Sequence, residues 1–243
     1  RYEQAWLEAR QQLAGFLGCQ AENLAYIENA TAAMNVVAAT VQLTAADEVV
    51  LTDHEYGAVA RIWQRACHQA GAADPVTARL PERIESAAQL VDALFAVVTP
   101  RTRLLVVSHI TSATAVTFPV AEICQQAQAR GIAVCIDGPH APGQVPVALD
   151  ALGCDFYTAS LHKWFSAPLG SGFVYVAPTW HDRVVTPQLS WGRLEPQIPQ
   201  QWWEEFVWTG TRDPSAYLAT TAALELLRRV GLATFRQQTH ELA

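Results

Sequence analysis

Two short apolar runs in the middle of the chain end abruptly on polar residues, and this limits what the chain can fold into. Val134-Cys135-Ile136 leads into Asp137-Gly138-Pro139-His140, and Phe156-Tyr157-Thr158-Ala159 leads into Ser160-Leu161-His162-Lys163-Trp164. Apolar strands of this kind belong in a largely parallel sheet covered by helices on both faces. Open sheets of that type bind ligands beyond the carboxyl ends of their strands, so Asp137 and Lys163 are expected at one edge. The interval between them leaves room for one connection and one further strand.

The rest of the chain alternates in the same way. Trp6, Leu7, Leu13, Phe16 and Leu17 fall at helical spacing over 2–18, and Gly18 suits a C-terminal cap. A strand from Leu24 to Glu28 precedes a helix that opens at Asn29-Ala30-Thr31 and runs to about Leu43, its first turn made of small residues that let a ligand approach the backbone. Further strands are expected at 48–52, 76–80, 103–108, 132–137, 156–160 and 173–177, with helices over 58–70, 86–97 and 120–129. Beyond Pro178 the composition changes: Trp180, Trp191, Trp202, Trp203 and Trp208 are interspersed with Pro187, Pro196 and Pro199. This reads as an irregular excursion, either a cover over an active site or subunit interface or a satellite core. A last helix is expected from Pro214 to Val230, with Asp213 as its cap.

A chain of 243 residues that is 51% hydrophobic and 16% charged is globular, and its net charge of −7, with no basic run, argues against nucleic acid and anionic membrane surfaces as partners. A small-molecule substrate fits better. The five cysteines, Cys19, Cys67, Cys124, Cys135 and Cys154, lack metal-ligand spacing and read mostly as small apolar core residues of a reducing compartment. There is no run of about 18 apolar residues and no signal-peptide pattern, so the cytoplasm is the expected location.

The two strand ends carry the groups that pyridoxal phosphate chemistry requires. The cofactor is an electron sink that needs a lysine for its Schiff base and an acid to keep its pyridine nitrogen protonated; Lys163 and Asp137 fill those roles. A lysine in a cleft at a strand end is also partly desolvated, which helps it lose its proton. Taken singly, Ile-Asp-Gly is a common strand-to-turn sequence and a lysine after a strand is commonly a solvated one; taken together they are harder to dismiss.

Four further segments, Asn29-Ala30-Thr31-Ala32-Ala33, Asp53-His54-Glu55-Tyr56-Gly57-Ala58, Ser108-His109-Ile110-Thr111-Ser112 and the run from Trp208 to Tyr217, complete a pattern that resembles the class V aminotransferase family, fold-type I pyridoxal phosphate enzymes, in particular its isopenicillin N epimerase-like branch. The resemblance covers nearly the whole chain. It implies an α/β fold, a three-layer aminotransferase-like large domain over 1–243 with a mostly parallel mixed sheet and helices on both faces. It places the cofactor phosphate at Thr31 and Ala32, where a helix N-terminus offers free amides. Tyr56 falls on the ring-stacking position, His140 on the partner of the phenolic oxygen, where desulfurases commonly carry glutamine, and Ser160 and His162 on phosphate contacts beside Lys163. His109 sits where relatives carry a residue facing the cofactor or substrate. Thr211 resembles the residue that reaches the neighbouring subunit's phosphate, which implies a homodimer with shared active sites. Arg212 reads as structural, pairing with Asp213 or a carbonyl, and Met34 and Val37 as core-facing.

The family's N-terminal segment and its small C-terminal domain of roughly a hundred residues are expected to be absent here, and with the latter the usual substrate-carboxylate arginine. No cysteine falls at the position of the desulfurase nucleophile. The expected activity is therefore chemistry at the α-carbon of an amino acid by epimerisation, transamination or carbon–sulfur lysis, with Lys163 as general base. Desulfurase-like sulfur transfer and a noncatalytic cofactor-binding or dimerisation remnant are the alternatives. A nicotinamide-binding fold is disfavoured because the close glycine pair, Gly170 and Gly172, precedes a strand rather than a helix. No hydrolase elbow is present, and Asp53, His54 and Glu55 point in different directions at a strand end, a poor metal site.

Overall fold

The structure, a computed structural model, describes residues 2–190 and 199–242. Helix α1 (Tyr2–Leu17) leads into β1 (Leu24–Ile27), α2 (Ala30–Thr40), β2 (Glu48–Thr52), α3 (Gly57–Ala70), β3 (Val76–Ala78), α4 (Ala87–Phe95) and β4 (Thr102–Ser108). Next come α5 (Val120–Gln128), β5 (Ala133–Asp137), the single turn α6 (Leu149–Leu152), β6 (Phe156–Ser160) and β7 (Gly172–Val176), then α7 (Ser215–Leu218), α8 (Thr220–Val230) and α9 (Leu232–Glu241). The strands form one sheet in the order β1-β7-β6-β5-β4-β2-β3. β7 runs antiparallel to both of its neighbours and the other pairings are parallel. The expected mostly parallel mixed sheet is what forms.

Strands β5 and β6 are buried along their length and β4 at every residue except Arg103, and successive side chains enter opposite layers. Leu105, Val107, Val134, Ile136, Tyr157 and Phe173 pack with α1, α4, α5 and α8. Leu104, Val106, Cys135, Phe156 and Val174 pack on the other face with α2 and α3. Met34 and Val37 are fully buried in that second layer, where the Trp63 indole donates to Met34 Sδ. Four of the five cysteines are buried in the two cores and Cys19 is half-buried. No helix among the described residues is long and apolar enough to cross a membrane.

Two expectations fail toward the C-terminus. The helix foreseen from Pro214 to Val230 is broken at Ala219 into α7 and α8, and α9 follows it unforeseen. The Tyr217 and Thr220 side chains explain the break. Tyr217 stacks on Tyr26, and the Thr220 hydroxyl, 2.6 Å from Tyr26 Oη, also reaches back to the Tyr217 carbonyl. Those tertiary contacts outweigh continuous helix.

Among the described residues of the tryptophan-rich segment, the buried aromatics form satellite packing. Trp180, Trp202 and Phe206 are buried in the α2/α3 layer, and Trp203 stacks on Trp6 of α1. Arg10 lies over the Trp203 ring at 3.6 Å and donates to the carbonyls of Ala21 and Leu24. Its guanidinium is largely desolvated there, which pulls its pKa down to about 10. Trp191 and Pro196 lie outside the described residues.

One close approach positions everything that follows. A side chain at Gly172 would meet the Ala159 carbonyl at 2.6 Å and the Asn29 Cα at 2.9 Å, so only glycine lets the start of α2 press onto β6 and β7. Asn29 caps the helix by accepting from the Ala32 amide, and the Ala30 amide donates to the Ser160 hydroxyl at 2.9 Å. Gly172→Ala is expected to destabilise the fold by about 1–3 kcal/mol through overpacking, read as a lower urea midpoint at unchanged m-value; an unchanged midpoint would contradict this account.

Candidate active site

Strand register assembles the site. In β4, β5 and β6, Ser108 is opposite Asp137 and Asp137 is opposite Thr158. These residues share parity with Val106, Cys135 and Phe156, so all three side chains enter the layer that holds α2 and α3. Beyond them opens a cleft whose lining includes Thr31, Tyr56, Ser108, Asp137, His140 and Lys163.

Asp137 is the buried acid of this cleft, 3% exposed. Thr158 Oγ1 donates to its Oδ1 at 2.8 Å, its one side-chain hydrogen bond among the described residues. Burial pushes its pKa up to about 7; the Thr158 bond and the Lys163 charge oppose the rise, and the Glu55 carboxylate adds to it. Asp137 makes no ion pair among the described residues. Across the cleft, Lys163 Nζ lies 2.9 Å from His140 Nε2, and burial lowers the Lys163 pKa against the opposing pull of Asp137. The Trp164 indole donates to His140 Nδ1 at 3.2 Å.

The remaining expected residues divide into two groups. Thr31 and Tyr56 line the cleft with Asp137, His140 and Lys163, and Tyr56 is half exposed with its ring at the rim. Ser160 sits beneath the start of α2, bound to the Ala30 amide, and His162 has a buried Nδ1 with no partner among the described residues. Ala32 spends its amide on the Asn29 cap and does not line this cleft.

His109 and Thr211 are not brought to the cleft. His109 has the opposite strand parity from Ser108 and turns into the α1/α5 layer, where Nδ1 lies 2.8 Å from Tyr157 Oη. Burial lowers its pKa to about 4. The expectation that it faces the cofactor is not met in this chain. Thr211 is exposed in the loop before α7. Arg212 pairs with Glu28 rather than Asp213 and lies over the Tyr217 ring.

Glu55 is the residue that sequence reasoning passed over. Its carboxylate accepts from the Ser108 amide at 3.1 Å, the Ser108 hydroxyl at 2.7 Å and the Thr52 hydroxyl at 2.7 Å, tying the ends of β2 and β4 together beside the cleft. Desolvation raises its pKa against those hydrogen bonds. Asp53 instead accepts from the Leu80 amide and His54 contacts Thr114, so the three neighbours diverge. The available signal was position: an acidic residue just past a strand's carboxyl end, at the edge where the sheet binds ligands.

The arrangement fits a phosphorylated pyridine. The Thr31 amide at the N-terminus of α2 makes no hydrogen bond among the described residues, and the Ser160 hydroxyl is bound to the Ala30 amide at the same helix end. An anion is favoured at such a helix end. At the other side, buried Asp137 suits a protonated ring nitrogen.

Comparison with known proteins agrees with the fold. The family model for aminotransferase class V matches residues 1–243. An isopenicillin N epimerase of Amycolatopsis lactamdurans is 38% identical over 97% of this chain and 62% of its own length. Among solved structures, an apo cysteine desulfurase of Thermococcus onnurineus NA1 superposes with a TM-score of 0.84 at 22% identity, over 99% of this chain and 60% of that one. A C-DES variant with glycine covalently linked to its PLP cofactor superposes with a TM-score of 0.81 at 24% identity, over 97% of this chain and 63% of that one. This chain thus spans about three-fifths of the length of these relatives.

The raised pKa of Asp137 makes a stability prediction with a definite sign. Between about pH 4 and pH 7 the folded, cofactor-free protein holds a proton that the unfolded chain has lost, so this group makes stability fall as pH rises through that window. Asp137→Asn should therefore flatten the decline, leaving the variant more stable than wild type at pH 8 by about 4 kcal/mol, with the gap narrowing toward pH 4. Glu55 contributes a slope of the same sign that the variant retains. Thermal melts at both pH values check this, and a variant less stable at pH 8 would refute it. With the site's geometry, the match over its full length and the level of identity all in agreement, the chain belongs to the aminotransferase class-V family.

Proposed function

We propose that this chain binds pyridoxal phosphate and belongs to an enzyme acting at the α-carbon of an amino acid by epimerisation, transamination or carbon–sulfur lysis. The observation that carries the reading is the meeting of Lys163, Asp137, His140 and Thr31 in one cleft at the carboxyl edge of the sheet. Family membership and the epimerase relative support it, as does a fold shared with the C-DES variant that carries a PLP-linked glycine.

When bound, the cofactor supplies an electron sink for a carbanion at the substrate α-carbon. The protein's part is binding, orientation and proton handling. The Thr31 amide, the Ser160 hydroxyl and His162 hold the phosphate against the positive end of α2. Tyr56 provides an aromatic plate at the rim for the ring face. Asp137 would hold a proton on the ring nitrogen, and a cation placed there would lower the Asp137 pKa again. His140 offers its Nε2 side to the phenolic oxygen. Lys163 would be the residue that holds the cofactor, and its amine, with a pKa lowered by burial, would serve as general base toward the α-proton.

None of the five cysteines lines the cleft, so the reading does not include sulfur transfer through a cysteine of this chain. Exposed Thr211 is assigned to the surface facing a second copy in a homodimer.

The test is capture of pyridoxal phosphate followed by borohydride. Wild-type chain should develop an absorbance near 420 nm, on the order expected for a lysine-bound cofactor, and after reduction carry the label on Lys163. Lys163→Ala should lose both, together with at least about 1000-fold in turnover of any amino acid the wild type accepts. Lys163 is the single lysine of the sequence, so label on the chain's α-amino group, or label that survives in Lys163→Ala, would refute the assignment. Capture with no turnover of any amino acid would favour the binding remnant.

A further inference from the structure

The two hydrogen bonds on the His140 ring fix more than its position. An indole N–H can only donate, so the 3.2 Å contact from Trp164 Nε1 makes His140 Nδ1 an acceptor. A neutral imidazole carries one ring proton, which must then sit on Nε2. That nitrogen is 2.9 Å from Lys163 Nζ. An N–H pointed there can be received only by an amine lone pair, which an ammonium does not have.

The alternatives fail on the same two distances. An ammonium donating to Nε2 while the indole donates to Nδ1 would leave the ring with no proton, an imidazolate. An imidazolium would turn an Nδ1–H against the indole N–H. We propose that Trp164 is a positioning residue that locks His140 in its Nε2–H tautomer and, through it, holds Lys163 as the free amine. This rests on the proposed role of Lys163 and adds the means by which the lysine is made nucleophilic before cofactor or substrate arrives.

The surroundings of Lys163 act in the same direction. Its titratable neighbours are Asp137 at the end of β5, His140 in the following loop, His162 beside it in sequence and Tyr56 at the start of α3. Of these, Asp137 alone favours the ammonium, and its own burial weakens that pull by holding its proton. Burial, the largest cause, lowers the His140 pKa and keeps the ring neutral, and a charged Lys163 would lower it further. The Trp164 side chain is 40% exposed, so replacing it with phenylalanine removes the N–H at little cost to packing.

The first readout uses the cofactor-free full chain with nitrogen-15-labelled histidine. Wild type should show His140 as a single Nε2–H tautomer, and Trp164→Phe should show a mixture enriched in Nδ1–H at an unchanged melting temperature. The second readout is the rate of pyridoxal phosphate capture against pH. The variant should capture about 3- to 10-fold more slowly at pH 7 and recover toward wild type at pH 9, as a lysine pKa raised by up to about one unit predicts. An Nδ1–H tautomer in wild type, an unchanged spectrum in the variant, or a rate loss that persists equally at pH 9 would each overturn the proposal. A wild-type chain that never captures the cofactor at Lys163 would instead refute the proposed function, while the nitrogen spectrum would still decide the tautomer.

Discussion

The in-register pairing of β4, β5 and β6 is the constraint from which the site follows. Because Ser108, Asp137 and Thr158 are direct neighbours across the sheet, one parity choice sends all three side chains into the same layer. A slip of one residue in β5 would turn Asp137 into the apolar layer with Ile136's neighbours and break the Thr158 bond. The apolar residues behind it forbid that slip, since Cys135 and Ile136 would exchange faces as well. The hydrophobic core thus sets the register, and the register sets the chemistry.

Burying acids at that edge has a thermodynamic cost. Asp137 and Glu55 both sit where water is scarce, and both have raised pKa values for that reason first. Glu55 is compensated by three hydrogen bonds from the ends of β2 and β4, which makes it a brace for the cleft wall. Asp137 is compensated by one. An uncompensated acid in a cleft marks a place where stability has been exchanged for binding, because a cationic ligand group restores what the fold gives up.

The sheet and most helices were legible because their signals are local. Strand and helix periodicity, the Asn29 cap and the glycines at helix ends depend on residues near in sequence, and their boundaries were found to within a few residues. The tryptophan segment was not legible in this way. Whether Trp203 covers a cleft or stacks on Trp6 depends on a helix almost the whole chain away, and the break at Ala219 depends on Tyr26 in the first strand. The orientation of His109 was, by contrast, available from strand alternation once β4 was known to run straight into it.

By itself the sequence determined that an acid and a lysine end two neighbouring buried strands, and that a helix with a small-residue N-terminus precedes them. Its residues also identified the family. The tertiary structure decided which of the polar residues at that edge share a cavity, because that depends on parity and register across strands far apart in the chain. It turned His109 away, brought Glu55 in, and set Trp164 against His140 so that one ring proton has a single place to go. Side-chain direction and hydrogen-bond polarity are properties of packed neighbours, and neighbours in space are what a linear sequence does not specify.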